Sequence, residues 1–167
     1  MMIFFLIPLC CSDIRNMVPV NYALLAGFTV CESVGFAAVT AGLTPESVIL
    51  SFGVLGLTFM GMWVAAMVAK DSLKMLVFLL VGLLVTACLQ LIALITIFCI
   101  GYLSSGMIIL YGFLGAIGAG IYVVIDLIYI MVPGAMSKDD YILGALMLYI
   151  DLLRMLLYIL VILGKRK

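Results

Sequence analysis

Histidine is absent from this sequence, and charged residues fill only 10% of its 167 positions. Without histidine, the chain lacks both the commonest metal ligand and the side chain that exchanges protons near neutral pH. A soluble domain normally carries about 25% charged residues, so the shortage of charge argues against a soluble protein. The formal net charge is zero, and this balance gives no indication of a nucleic-acid partner.

Hydrophobic residues make up 68% of the chain, and its mean hydropathy is +1.47. They occur in runs of about 20 residues, the length that an α-helix needs to cross a bilayer. A transmembrane β-barrel would instead show alternating segments of about ten residues. The sequence therefore predicts an all-α, polytopic bundle in the lipid bilayer, forming a single domain over residues 1–167.

The five cysteines show no spacing typical of a metal site. Cys31, Cys88 and Cys99 lie inside apolar runs, where cysteine behaves as a small hydrophobic residue. The sequence also contains no haem, nucleotide or metal-cluster motif. We therefore expect no cofactor and no enzymatic activity of the chain on its own.

Polar turns divide the chain into five full-length helices and a shorter apolar segment. This segment, residues 1–11, is about half as long as a membrane span. It is either the end of a helix whose first half is absent or a short interfacial anchor. The five full helices are predicted at about 22–42, 45–69, 73–100, 106–132 and 138–164.

Turn residues support two of these helix starts. Thr44 is a candidate N-cap, and Pro45 after it suits the first helical position. Ser137 with Asp140 resembles a capping box, which places the start of the last helix near Lys138.

Small residues indicate where membrane helices approach closely. In the fourth helix, Gly112, Ala116 and Gly120 recur every four residues, with Gly115 and Ala119 beside them. Such a face lets two helix backbones come close together. We therefore expect the fourth helix to be central in the bundle, and we expect Gly53, Gly56 and Gly61 to permit close contacts of the second helix.

Three carboxylates lie inside predicted membrane helices: Glu32 in the first, Asp126 in the fourth and Asp151 in the fifth. A carboxylate at the centre of a membrane helix costs about 2.5–3.5 kcal/mol on insertion scales. We interpret Asp126 and Asp151 as facing each other in an ion- or proton-sensitive site. Glu32 is either a third member of this site or a protonated side chain that is hydrogen-bonded to a neighbouring helix.

The residues around these acids resemble those of Bax-inhibitor-motif membrane proteins. The string SKDDYILGALMLYIDLLRMLLYILVILG (137–164) is similar to the family's closing helix and carries Asp151. GFTVCES (27–33) resembles the family's G-F-T-x-x-E-G and carries Glu32. YVVIDLIYI (122–130) resembles its penultimate helix and carries Asp126. The resemblance covers nearly the whole chain in the same order.

The resemblance implies a seven-helix bundle with a link to the regulation of apoptosis. It also implies that the aspartates of the last two helices share a proton and control a slow, pH-dependent leak of cations, chiefly calcium. Asp126 and Asp151 would then be the sensor and transient cation ligands, and Glu32 would assist them. Two neighbouring carboxylates do not readily both ionise; once both are charged, they offer the hard oxygen ligands that calcium prefers.

Three departures from the family pattern keep other hypotheses open. The family's first helix and most of its second have no counterpart here, and its polar residues after the penultimate-helix aspartate are replaced by Leu127 and Ile128. Arg154 replaces an asparagine and shares a helix face with Asp151. We favour a structural Asp151–Arg154 ion pair, which would prevent proton sharing. Alternatively, Arg154 substitutes for a basic residue of the missing second helix that holds the acidic pair in some members.

The alternative function is a non-conducting structural subunit of a larger membrane complex, for example a respiratory assembly. A proton-translocating subunit of a redox enzyme is a weaker hypothesis, since it depends only on the buried carboxylates. Expected partners are the lipid bilayer, calcium or protons, and, in the alternative, other membrane subunits. We expect a multi-pass protein of the endoplasmic reticulum, Golgi or mitochondrial inner membrane.

Overall fold

The computed structural model describes residues 19–100, 105–132 and 141–165. Within these ranges lie five α-helices, all long and apolar enough to cross a membrane. They are α1 (Val20–Thr40), α2 (Pro45–Ala69), α3 (Leu73–Ile100), α4 (Ser105–Met131) and α5 (Tyr141–Leu163). The all-α membrane bundle predicted from the sequence is confirmed.

The helix ends follow the local sequence and lie within three residues of the expected positions. α1 begins and ends slightly earlier than expected, and α4 ends at Met131, before Val132. The residue that precedes a proline disfavours the helical conformation, and Pro133 follows Val132 in the sequence. The apolar segment 1–11 and the proposed capping box before α5 lie outside the described residues.

The start of α2 corrects one expectation. Pro45 occupies the first turn, as expected, and Thr44 before it is extended. However, the Thr44 hydroxyl donates to the Ser47 hydroxyl at 3.1 Å and does not cap a backbone N–H of the helix. The backbone N–H of Thr44 donates to the carbonyl of Lys165 at 2.9 Å. This bond joins the α1–α2 loop to the end of α5.

Helix α4 lies at the centre of the bundle, packed against α2, α3 and α5. Its buried residues Val123 and Leu127 form a core cluster with Ala66 and Ala69 of α2. Another cluster joins Ala119 of α4 to α5. By contrast, many apolar side chains of α1, α2 and α3 are exposed on the outside of the bundle, as expected for surfaces that contact lipid.

The small residues of α4 contact three different helices. Gly112 and Gly115 face α5: a Cβ atom on Gly112 would lie 3.0 Å from Val161, and one on Gly115 would overlap the ring of Tyr158. Close packing of α4 on α5 therefore depends on these two glycines.

Two other glycines of α4 contact other helices. Gly118 faces Thr86 of α3, and Gly120 faces Met62 of α2. The expected close approach of α4 to a neighbouring helix thus occurs at Gly112 and Gly115, while other glycines of this central helix face different neighbours. Among the described residues, the expected close contacts at the glycines of α2 are not formed: a Cβ atom would have no neighbour within 4 Å at Gly53, Gly56 or Gly61.

Helix α1 packs on the outside of α5. Phe28 is fully buried in a cluster with Ile142 and Leu146, and its ring meets that of Tyr149 edge-on, with the centroids 6.2 Å apart. This contact sets the position of Glu32, which lies one helical turn after Phe28.

Candidate functional site

Asp126 of α4 and Asp151 of α5 face each other across the interface of their helices. Each residue is only 8% exposed, and the two carboxyl groups lie within hydrogen-bonding reach of each other. A hydrogen bond between two carboxyl groups requires a proton on one of them, since an ionised carboxylate only accepts. The arrangement is therefore suited to holding one shared proton.

The apolar neighbours of Asp126 explain why its polar contact comes from α5. Leu127 and Ile128, which stand where the family pattern has polar residues, are buried in the core between α2 and α4. They stabilise helix packing and leave no polar side chain on α4 immediately after the aspartate. The polar contact of the Asp126 carboxyl group is therefore made with Asp151.

The two acids lie at different distances from the ends of their helices. At 1.5 Å rise per residue, Asp126 is about 8 Å from Met131 and Asp151 about 15 Å from Tyr141. Because the carboxyl groups nevertheless meet, α5 extends further than α4 on this side of the bundle.

Arg154 is the positively charged neighbour of the pair. Its Nη1 atom lies 3.9 Å from Oδ1 of Asp151, farther than the roughly 2.7–2.9 Å of a charge-assisted hydrogen bond. Half of the Arg154 side chain is exposed, and the guanidinium carbon lies 6.0 Å from the centre of the Tyr122 ring. The Asp151–Arg154 contact thus exists beside the contact of Asp151 with Asp126, and neither contact excludes the other.

Glu32 lies at the edge of this site. It is half-buried on α1 and close enough to Tyr149 for their charges to interact. The charged groups that act on the two aspartates in the described part of the chain are each other and Arg154. The structure therefore places Glu32 beside Tyr149, and its proposed assistance to the pair stays a prediction.

A second polar cluster was not predicted from the sequence. Gln90 Nε2 of α3 donates to the Tyr158 hydroxyl of α5 at 2.7 Å. The Tyr111 ring of α4 meets the Tyr158 ring edge-on at 6.0 Å, with its hydroxyl within hydrogen-bonding reach of both partners. One feature of the sequence could have indicated this cluster: Tyr158 lies two helical turns after Asp151, on the same face of α5.

The capacity of the site for metal ions is limited. The described residues contain no group of three or more histidine, cysteine, aspartate or glutamate side chains that could hold an ion. Calcium takes about six to eight oxygen ligands, and Asp126 with Asp151 supplies at most four. The pair can therefore contact a passing cation, but it cannot complete a coordination shell.

A known protein family matches this chain over its whole length. The family model described as inhibitor of apoptosis-promoting Bax1 matches residues 1–167, the entire sequence. No solved structure gives a significant match. The five membrane-spanning helices and this match make the chain an integral, multi-pass membrane protein. The resemblance first seen in its polar residues is thus confirmed, and the chain belongs to the Bax inhibitor family.

Proposed function

We propose that this protein is a pH-sensitive leak channel for calcium or other cations, with Asp126 and Asp151 as its sensor. The observation that carries the proposal is the burial of two carboxyl groups within hydrogen-bonding reach, inside a bundle of membrane helices. Membership of the Bax inhibitor family supports it. No step of the proposed function is a chemical reaction, so the proposal does not include enzymatic activity.

The mechanism follows from the charge of the pair. With one proton shared, the two carboxyl groups hydrogen-bond and hold α4 against α5. When this proton leaves, two negative charges repel each other in a medium of low dielectric constant, and their oxygens become available to a cation. Arg154 offsets only one of the two charges. Flux is therefore expected to rise as the pH rises.

A non-conducting structural subunit of a larger membrane complex is the second candidate function. It is favoured by the contact of Asp151 with Arg154, which partly neutralises the carboxylate, and by the burial of apolar Leu127 and Ile128 beside Asp126. In this case the acidic residues would contribute to packing and would not respond to pH.

Calcium flux through proteoliposomes tests the leading proposal. We expect the purified protein to release entrapped calcium faster than empty vesicles do, and faster at alkaline than at acidic pH. A calcium-sensitive dye inside the vesicles measures the rate. Flux equal to that of empty vesicles at every pH, together with migration of the native protein inside a large assembly, would instead support the structural subunit.

A further inference from the structure

A small polar cavity lies between α3, α4 and α5. It has a volume of about 90 Å³ and is bordered by polar side chains from all three helices: Thr86, Gln90, Tyr122, Arg154 and Tyr158. One water molecule needs about 10–15 Å³ of such space and two to four polar partners. The cavity therefore has both the room and the hydrogen-bonding groups for several water molecules.

The sequence keeps this space open. Gly115 and Gly118 border the cavity where any larger residue of α4 would project side-chain atoms towards Tyr158 or Thr86. The Thr86 hydroxyl donates to the carbonyl of Leu83 at 2.9 Å, which leaves its oxygen able to accept a bond from water. Polar side chains and glycines thus lie together at one place in the bundle.

The cavity lies next to the aspartate pair. Arg154 borders it and also lies 3.9 Å from Asp151, so the guanidinium group connects the two sites. A cation inside the cavity would be repelled by Arg154 unless the Asp151 carboxylate neutralised that charge. The charge on the pair therefore affects whether a cation can enter the cavity.

A wider cleft lies nearer to the end of α5 than the cavity does. This cleft, of about 900 Å³, opens where the α1–α2 loop meets the end of α5, and it is bordered by residues including Leu43, Ser105, Leu157 and Gly164. Tyr158 borders the cavity, while Leu157 beside it borders the cleft. Tyr158 of the hydrogen-bonded cluster therefore lies at the end of the cavity that is nearer to the cleft.

We infer that the cavity is a hydrated vestibule of the aspartate pair and that the Gln90–Tyr158–Tyr111 cluster is its constriction towards the cleft. Water and small cations then reach the pair from the side of the membrane that carries the α1–α2 loop. This inference rests on the proposed channel function and extends it, because it names the ligand of the cavity and the direction of access.

Cysteine labelling tests the hydration of the cavity. In a variant whose native cysteines are replaced by alanine, we introduce Thr86→Cys and apply the water-soluble cation methanethiosulfonate-ethylammonium. The matched control retains only Cys88, which is exposed on the outside of α3. We expect the cysteine at position 86 to react about ten times faster than Cys88, because a thiol that faces lipid does not readily form the reactive thiolate. Equal rates, or labelling of Cys88 alone, would overturn the inference.

Tyr158→Phe tests the constriction. The change removes the hydroxyl that accepts the bond from Gln90 and leaves the ring over Gly115. We expect Thr86→Cys to be labelled about fivefold faster in this background, as the loss of one hydrogen bond suggests. Tyr129→Phe, which alters an exposed tyrosine of α4, is the control and should leave the rate unchanged. An unchanged rate in Tyr158→Phe would contradict the assigned constriction.

Labelling and flux separate this inference from the proposed function. Labelling at position 86 without any calcium flux would support the hydrated vestibule and overturn the channel. Flux that depends on pH, without labelling at position 86, would support the channel and overturn the vestibule.

Discussion

Replacing either aspartate of the pair with asparagine is expected to abolish the pH dependence of calcium flux. In Asp126→Asn, the amide has nearly the shape of the carboxyl group and donates permanently to the remaining carboxylate of Asp151. The bond that holds α4 against α5 then no longer depends on a proton. We expect flux at alkaline pH to fall about tenfold, to the level of the acidic state, a change equivalent to about 1.4 kcal/mol.

Three further variants make this prediction specific. Asp151→Asn should behave like Asp126→Asn, and the double variant should add little, because the two residues act through one shared bond. Asp71→Asn changes an exposed aspartate next to α2 and should leave the pH profile unaltered. Persistence of the normal pH profile in both single variants of the pair would rule out the sensor.

Glu32→Gln completes this series, because Glu32 lies beside Tyr149 and, among the described residues, the charged groups that act on the pair are the two aspartates themselves and Arg154. Glu32 acts on Tyr149, whereas Asp126 and Asp151 act on each other. A pH profile that survives Glu32→Gln would restrict the sensor to the two aspartates. A profile that is lost in this variant would restore Glu32 as the third member of the site.

Gly115→Ala is expected to destabilise the bundle. A Cβ atom at this position would overlap the ring of Tyr158, so the ring must turn away or α4 must move from α5. Overpacking of this kind costs about 1–3 kcal/mol, more than the helix preference that alanine gains over glycine. The free energy of unfolding in mixed micelles, followed by the loss of helical signal, measures the change.

Gly61→Ala is the matched control for this variant. The substitution is chemically the same, and in the described part of the chain a Cβ atom at Gly61 would have no neighbour within 4 Å. We expect its stability to equal or slightly exceed that of the natural sequence. If Gly115→Ala unfolded at the same denaturant concentration as Gly61→Ala, the close contact of α4 with α5 at Tyr158 would be wrong.

The sequence predicted the helices well because lipid imposes a simple requirement on length and hydrophobicity. It did not predict which neighbour each small residue contacts. Gly112 and Gly120 share the same pattern in the sequence, yet they face α5 and α2 respectively. Helical periodicity defines faces on one helix, but the identity of the helix opposite each face depends on how the whole bundle packs.

The same distinction applies to the candidate site. Asp126 and Asp151 could be singled out because a carboxylate inside a membrane is costly wherever it lies. Gln90 and Tyr158 carry no such signal, because a glutamine or tyrosine in an apolar run is compatible with many packing roles. Their hydrogen bond joins residues that are 68 positions apart, and only the packing of α3 on α4 and α5 brings them together.

The depth of Asp126 and Asp151 has a consequence for an energised membrane. By helical rise, Asp126 lies about 8 Å from the end of α4 and Asp151 about 15 Å from the start of α5, and both helices are long enough to cross a hydrocarbon layer about 30 Å thick. A charge that crosses the whole layer gains or loses about 2.3 kcal/mol per 100 mV, so a proton that enters the pair crosses part of this voltage drop. In the proposed channel, the electrical potential would thus act together with pH on the pair, and the same protein would differ in protonation between membranes held at different voltages.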